Sequence, residues 1–197
     1  DSLKSLTEII QTDPVAFFTH TSMDSYPSND FNIQKKHNYF HAWAIIDNKV
    51  NAFLNKEIES NSFNEFCVIG TCLDILPNNS KLHLANSMAV RYANFIGIKG
   101  KKDIDVKANR GTSGIDGSNS TAFGNALIAD QIVTLITGDL AFFYDRNAFW
   151  NNYNVPNLRI ILVNNYGGGI FRMIKGPAHL EELEEFFVTE QKQNAAH

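Results

Sequence analysis

Charge is scarce in this chain. Lys, Arg, Asp and Glu make up 19% of the 197 residues, against about a quarter in ordinary globular domains, and 23 asparagines supply much of the polarity instead. With 17 basic and 21 acidic residues the formal net charge is -4, so no basic stripe is available to neutralise a phosphate backbone, which argues against nucleic acid as a partner. Long hydrophobic runs are also missing. Nothing approaches the roughly 18 to 20 apolar residues that cross a bilayer, and Asp1–Gln11 lacks the basic start and apolar centre of a signal peptide. The expectation is a cytoplasmic protein with no membrane partner. Only two cysteines occur, Cys67 and Cys72, with no further Cys or His cluster to complete a metal site, so they read as reduced core residues. Finally, G-x-G-x-x-G, Walker A, H-E-x-x-H and G-x-S-x-G are all absent, which leaves the dehydrogenase, P-loop, zincin and serine-hydrolase classes without their motifs.

What is present suffices for one good core: 44% of the residues are hydrophobic and 12% aromatic. Ser2–Ile10 reads as a short helix closed by Asp13-Pro14, and Thr19–Asn32, rich in Thr, Ser, Asp, Asn and Pro, as a loop or linker. From Gln34 to Leu54 the residues Phe40, Trp43, Ile46, Val50, Phe53 and Leu54 recur at helical spacing and predict one long amphipathic helix. A second helix, Asn64–Leu76, is stopped by Pro77. Beyond it short apolar runs alternate with helical stretches. The strands predicted are Lys81–Ala85, Ile104–Ala108, Ile132–Thr137 and Leu158–Val163, the last two read as buried on both faces. The helices are Ser87–Phe95, Ser118–Asp130, Ala141–Trp150 and an acidic Leu180–Phe187. This alternation is βαβ texture and predicts an α/β fold with a doubly wound parallel sheet, its ligands at the carboxyl ends of the strands. Leu158–Val163 reads as a central strand, yet little sequence follows to flank it, so the fold is expected to be truncated at both ends.

The residues that could carry chemistry gather at those strand ends. Gly138-Asp139 follows one strand; Asn164-Asn165, Tyr166 and the triple glycine Gly167–Gly169 follow the next. Ends of adjacent parallel strands are neighbours, so Asp139 and Asn165 would project into one crevice, where a glycine-loop carbonyl completes an oxygen set suited to Mg²⁺. Glycines let a diphosphate approach the backbone, and the helix starting near Ala141 would turn its positive end to an anion. Composition alone yields about three Asn-Asn pairs, so the dipeptide itself carries no information; its placement does. Upstream, Asn109-Arg110-Gly111-Thr112-Ser113-Gly114-Ile115-Asp116-Gly117 and Ala85-Asn86-Ser87-Met88-Ala89-Val90-Arg91 each place an arginine near a strand end, as for a carboxylate. The competing reading is a surface ion pair. His37 and His41, one helical turn apart, have no third ligand in view and read as solvated.

Taken together, A-N-S-M-A-V-R, N-R-G-T-S-G-I-D-G, T-G-D-L and V-N-N-Y-G-G-G-I-F resemble the C-terminal, diphosphate-binding region of a thiamine diphosphate enzyme. More narrowly, they resemble the 2-succinyl-5-enolpyruvyl-6-hydroxy-3-cyclohexene-1-carboxylate synthase family of menaquinone biosynthesis. The match covers about Trp43–Pro177. The resemblance implies a thiamine diphosphate-binding domain over 33–197, with 1–32 as the tail of a middle domain and linker. It implies thiamine diphosphate with Mg²⁺, or Mn²⁺, as cofactors. Asp139, Asn165 and the Gly167 carbonyl would hold the metal, while Gly138, Leu140, Gly168, Ile170 and Phe171 would bind cofactor and line its pocket. Ile115 would bend the cofactor into its V shape; Ser87, Arg91 and Arg110 would bind the carboxylates of 2-oxoglutarate and isochorismate. The family reaction decarboxylates the first and adds the resulting succinyl carbanion equivalent to the second. In that family the activating glutamate comes from the N-terminal domain of a partner subunit in a homodimer or tetramer, so this stretch alone is expected to be inactive. Tyr166 stands where the family often has asparagine and Ala89 where it often has proline. The alternatives left are another thiamine diphosphate-dependent 2-oxoacid decarboxylase or synthase, and a noncatalytic flavodoxin-like interaction domain.

Overall fold

The computed structural model describes residues 9–20, 30–60, 62–100 and 103–195, in two compact units, Asp1–Val50 and Asn51–His197. In the first, Ile9 and Ile10 are not helical; the rest of the helix expected over Ser2–Ile10 lies outside the described residues. A helix follows the Asp13-Pro14 step, α1 (Pro14–His20). Proline is harmless at the first helical position, where its missing N–H has no partner anyway, and the Asp13 carboxylate accepts from the free amides of Val15 (2.8 Å) and Ala16 (3.2 Å). The dipeptide read as a stop is a start. Of the expected loop Thr19–Asn32, residues 19–20 belong to α1 and 30–32 to α2, the remainder lying outside the described residues.

Helix α2 (Asp30–Glu59) is longer than its apolar spacing predicted. His37 and His41 are exposed on it, and no group of three His, Cys, Asp or Glu side chains suited to a metal occurs among the described residues. Its residues Phe40, Trp43, Ile46 and Val50 are exposed as well. No helix among the described residues is long and apolar enough to cross a membrane.

The second unit holds α3 (Glu65–Asp74), β1 (Ser80–Leu84), α4 (Met88–Ile96), β2 (Ile104–Ala108), α5 (Ser118–Ile128), β3 (Val133–Gly138), α6 (Asp139–Tyr144) and β4 (Leu158–Val163). The sheet is wholly parallel, in the order β2-β1-β3-β4. From β1 the chain moves one way to β2, then returns across β1 to β3 and on to β4. Right-handed crossovers on both sides of that reversal put helices on both faces of the sheet. Leu82, Leu84 and Ile136 pack on one face with Ile69, Leu73 and Leu76 of α3 and its end, and with Ala89, Ala93 and Ile96 of α4. The buried Ala122, Phe123 and Ala126 of α5 serve the other face.

Three expectations need adjusting. Leu158–Val163 is not buried on both faces here: among the described residues it pairs with β3 on one edge, and Arg159 and Ile160 are exposed. Apolar content by itself does not say which faces of a strand are covered. The helix expected over Ala141–Trp150 is α6 followed by a 3-10 turn, Arg146–Phe149, because the Asp145 carboxylate turns aside to cap α5, accepting from the Ser120 amide and hydroxyl at 2.7 Å each. Similarly, the acidic helix predicted near the end is a π-helix, Leu183–Val188.

One buried polar residue makes the fold pH-sensitive. His83, in the middle of β1 and 3% exposed, pairs through Nε2 with the Asn125 amide of α5 at 2.9 Å. Burial pushes its pKa below the ordinary 6.5, helped by Lys107 and Lys81 and opposed by Asp105. The unfolded chain therefore binds the proton more readily, and stability present above pH 6.5 is lost as the pH falls below it. The urea midpoint should fall between pH 7 and 5, and this fall should be shallower in His83→Gln; equal slopes would show that His83 does not carry it.

Candidate functional site

The reversal in strand order leaves a crevice at the carboxyl ends of β1 and β3, where open α/β sheets take their ligands. The loop after β1 is fixed by Asn86, 2% exposed. Its amide nitrogen donates to the carbonyls of Asn109 (2.8 Å) and Gly114, and its oxygen accepts from Arg110 Nη1 (2.9 Å). One side chain thus ties the β1 end to the loop after β2 and aims Arg110. Next to it Ser87 has φ 74° and ψ -132°, a conformation that L-residues avoid, and its carbonyl accepts from Arg91 Nη1 at 2.9 Å. Ser113, at φ 58°, and Gly117, left-handed at the start of α5, shape the loop that carries Ile115.

At the end of β3, Gly138 has no neighbour within 4 Å of where a Cβ would sit. It lines open space. Asp139 follows, 2% exposed, its Oδ2 accepting from Gln191 Nε2 at 2.8 Å; the same nitrogen donates to Asn164 Oδ1 at 3.0 Å. Asn165 has other partners: its oxygen accepts from the Gly167 amide (3.2 Å) and its nitrogen donates to Glu65 of α3 (2.5 Å). Tyr166 between them sits at φ 64°, where asparagine would be less strained. The glycines have a packing reason of their own. A Cβ on Gly167 or Gly168 would come within 2.9 Å of the Val188 or Phe187 carbonyl, and the Gly168 amide donates to the Val188 carbonyl at 2.7 Å. The π-helix is held over this loop by a two-pronged pair from Arg172 to Glu184, at 2.9 and 2.6 Å, which keeps the Glu184 carboxyl below its usual range.

The loops after β1, β2, β3 and β4 line one cavity of about 500 Å³. Every residue to which the resemblance gives a site role is on its wall: Ser87, Arg91, Arg110, Ile115, Gly138, Asp139, Leu140, Asn165, Gly167, Gly168, Ile170 and Phe171. Neither arginine is among the ion pairs of the described residues, which join Lys81 and Lys107 to Asp105, and Arg172 to Glu184. Asp139 is absent from them too. A carboxylate this buried, with a neutral amide for a partner, is costly without a cation, so the donor set fits a hard divalent ion that takes carboxylate, amide and carbonyl oxygens. The helix-dipole argument is weaker than expected, since α6 has only six residues. Sequence reasoning gave no role to Glu65, Asn86 or Gln191. Asn86 lay inside a quoted motif; for the other two no local signal existed.

The strain at Ser87 is testable apart from any ligand. Ser87→Gly should raise stability by about 1 kcal/mol, because glycine adopts this backbone freely, while removing a hydroxyl from the cavity. A drop in the urea midpoint would show that Ser87 is not strained.

No family model matches the chain. Curated relatives do, under the name 2-succinyl-5-enolpyruvyl-6-hydroxy-3-cyclohexene-1-carboxylate synthase. That of Cytophaga hutchinsonii is 63% identical over 133 residues, 68% of this chain and 24% of its own. That of Flavobacterium psychrophilum is 38% identical across 99% of this chain and 34% of its own, and that of Desulfotalea psychrophila 37% identical across 95% and 32%. The chain spans about a quarter to a third of the length of these relatives. It therefore belongs, by sequence and as a part of their length, with the 2-succinyl-5-enolpyruvyl-6-hydroxy-3-cyclohexene-1-carboxylate synthases.

Proposed function

We propose that this chain is the cofactor-binding part of an enzyme that joins 2-oxoglutarate to isochorismate in menaquinone biosynthesis, with residues 33–197 as its thiamine diphosphate domain and 1–32 as the tail of a middle domain. The observation that carries the reading is the buried Asp139, which has no cationic partner among the described residues, on the same cavity wall as Asn165 and Gly167. Asp139, Asn165 and the Gly167 carbonyl would hold Mg²⁺ or Mn²⁺ against the diphosphate. Gly138, with open space where a Cβ would be, and Gly168 would admit the diphosphate to the backbone, and Leu140, Ile170 and Phe171 would exclude water around it. Ile115 would support the bent cofactor. Thiamine diphosphate, when bound, supplies the electron sink for decarboxylating the 2-oxoacid and transferring its remaining four-carbon unit. Ser87 would donate its hydroxyl, and Arg91 and Arg110 their guanidinium groups, to the carboxylates of both acidic substrates. Fixing these groups in place beforehand lowers the entropic cost of bringing two anions together. The activating glutamate would come from the N-terminal domain of a partner subunit in a homodimer or tetramer, so turnover belongs to the assembled whole.

Thiamine diphosphate with Mg²⁺ at a hundred times its Kd should stabilise the fold by about 2.7 kcal/mol, since it binds only the native state. Thermal melts read this, and Asp139→Ala should abolish the shift; a shift that survives would place the diphosphate elsewhere. In the full-length enzyme, Arg91→Ala and Arg110→Ala should each lower kcat/KM about 10- to 100-fold, the worth of one charge-assisted pair, with cofactor affinity little changed. Unaltered kinetics in both would remove the arginines from substrate binding.

A further inference from the structure

We propose that Glu65 is a positioning residue for the metal site: it fixes which atom of the Asn165 amide faces the metal. This rests on the reading of Asp139, Asn165 and Gly167 as metal ligands. An asparagine side chain presents an oxygen on one side and an NH₂ on the other, and only the oxygen can bind a cation. Nothing in Asn165 itself decides between the two orientations. A carboxylate decides it, because it accepts hydrogen bonds and donates none. Glu65 Oε1 accepts from Asn165 Nδ2 at 2.5 Å, which turns Oδ1 to the opposite side, toward the glycine loop, where it meets the Gly167 amide.

Glu65 is itself well placed to hold an orientation. It is the first residue of α3, where a carboxylate is favoured by the free amides of the helix start, and Asn64 before it caps that helix by accepting from the Cys67 amide at 2.9 Å. Ile69 and Leu73 bury α3 in the core against α4. The carboxylate is thus mounted on a packed element, whereas Asn165 belongs to an exposed turn. Its presence is felt nearby as well: burial and the Glu65 carboxylate together push the Tyr92 phenol up.

The test is Mn²⁺ binding to the full-length protein at saturating thiamine diphosphate, read by the loss of the free-ion EPR signal and needing no turnover. Outer partners of metal ligands are typically worth about 10- to 100-fold in affinity, so Glu65→Ala should raise the Mn²⁺ Kd by at least about tenfold. Glu65→Gln, isosteric and so the variant that keeps the fold if Glu65→Ala does not, should raise it measurably but by less than about tenfold, since its amide still offers an acceptor oxygen. Asp139→Asn should nearly abolish binding. If Asp139→Asn binds Mn²⁺ as wild type does, the metal-site reading falls and this inference with it. If Asp139→Asn loses the ion but Glu65→Gln and every folded Glu65→Ala sample bind normally, the inference alone is overturned. A loss in Glu65→Gln as large as in Asp139→Asn also overturns it, because the carboxylate would then act as a ligand or a charge and not as an orienting acceptor.

Discussion

The parallel pairing of β1 with β3, Lys81–Leu84 against Val133–Ile136, is the constraint on which the rest of the second unit depends. Both strands are almost wholly buried, so their register is set by packing on two faces at once, and a slip of one residue would turn His83 and Leu135 toward the wrong helices. This pair also marks the reversal in strand order. The connections leaving β1 and β3 therefore diverge to opposite faces of the sheet, and the gap between them opens where Ser87 and Gly138 lie. The cavity follows from the topology before any side chain is chosen.

Side chains then hold the loops around that gap. Asn86 makes three hydrogen bonds inside the protein, each worth about 1 kcal/mol net and more when a buried partner would be orphaned. Gln191 does the corresponding work at the far side, spanning Asp139 and Asn164. Among the described residues the charged groups have less support: Arg91 bonds to a backbone carbonyl of its own turn, and Asp139 to a neutral amide. The amides of Asn86 and Gln191 are thus satisfied by the protein, while Arg91, Arg110 and Asp139 line the cavity with formal charges of both signs.

Much of this was legible in the sequence because it rests on local chemistry. Strands β1 to β4 were found within a residue or so from apolar runs bounded by turn residues, and the loops after them from glycine spacing and from motifs shared with a known family. The errors have a common physical origin. An Asp-Pro step reads as a helix stop but serves equally as a start, as the Asp13 cap of α1 does, and apolar content does not say which faces of Leu158–Val163 are covered. The role of Asp145 at α5 and those of Glu65 and Gln191 come from pairings over long separations, which no window of residues reports.

Those separations bear on how the molecule folds. Asn165 meets Glu65 one hundred positions away and Gln191 meets Asp139 across 52, while β1 has to wait for β3 to be in place before its second edge is covered. Loop-closure entropy is lost early in such a topology and the compensating contacts arrive late, which slows folding relative to locally connected folds. The cavity can be complete only after the last of these closures. Until it is, the edges of these apolar strands are open to pairing with other chains, and the molecule is most prone to misassociation in that interval.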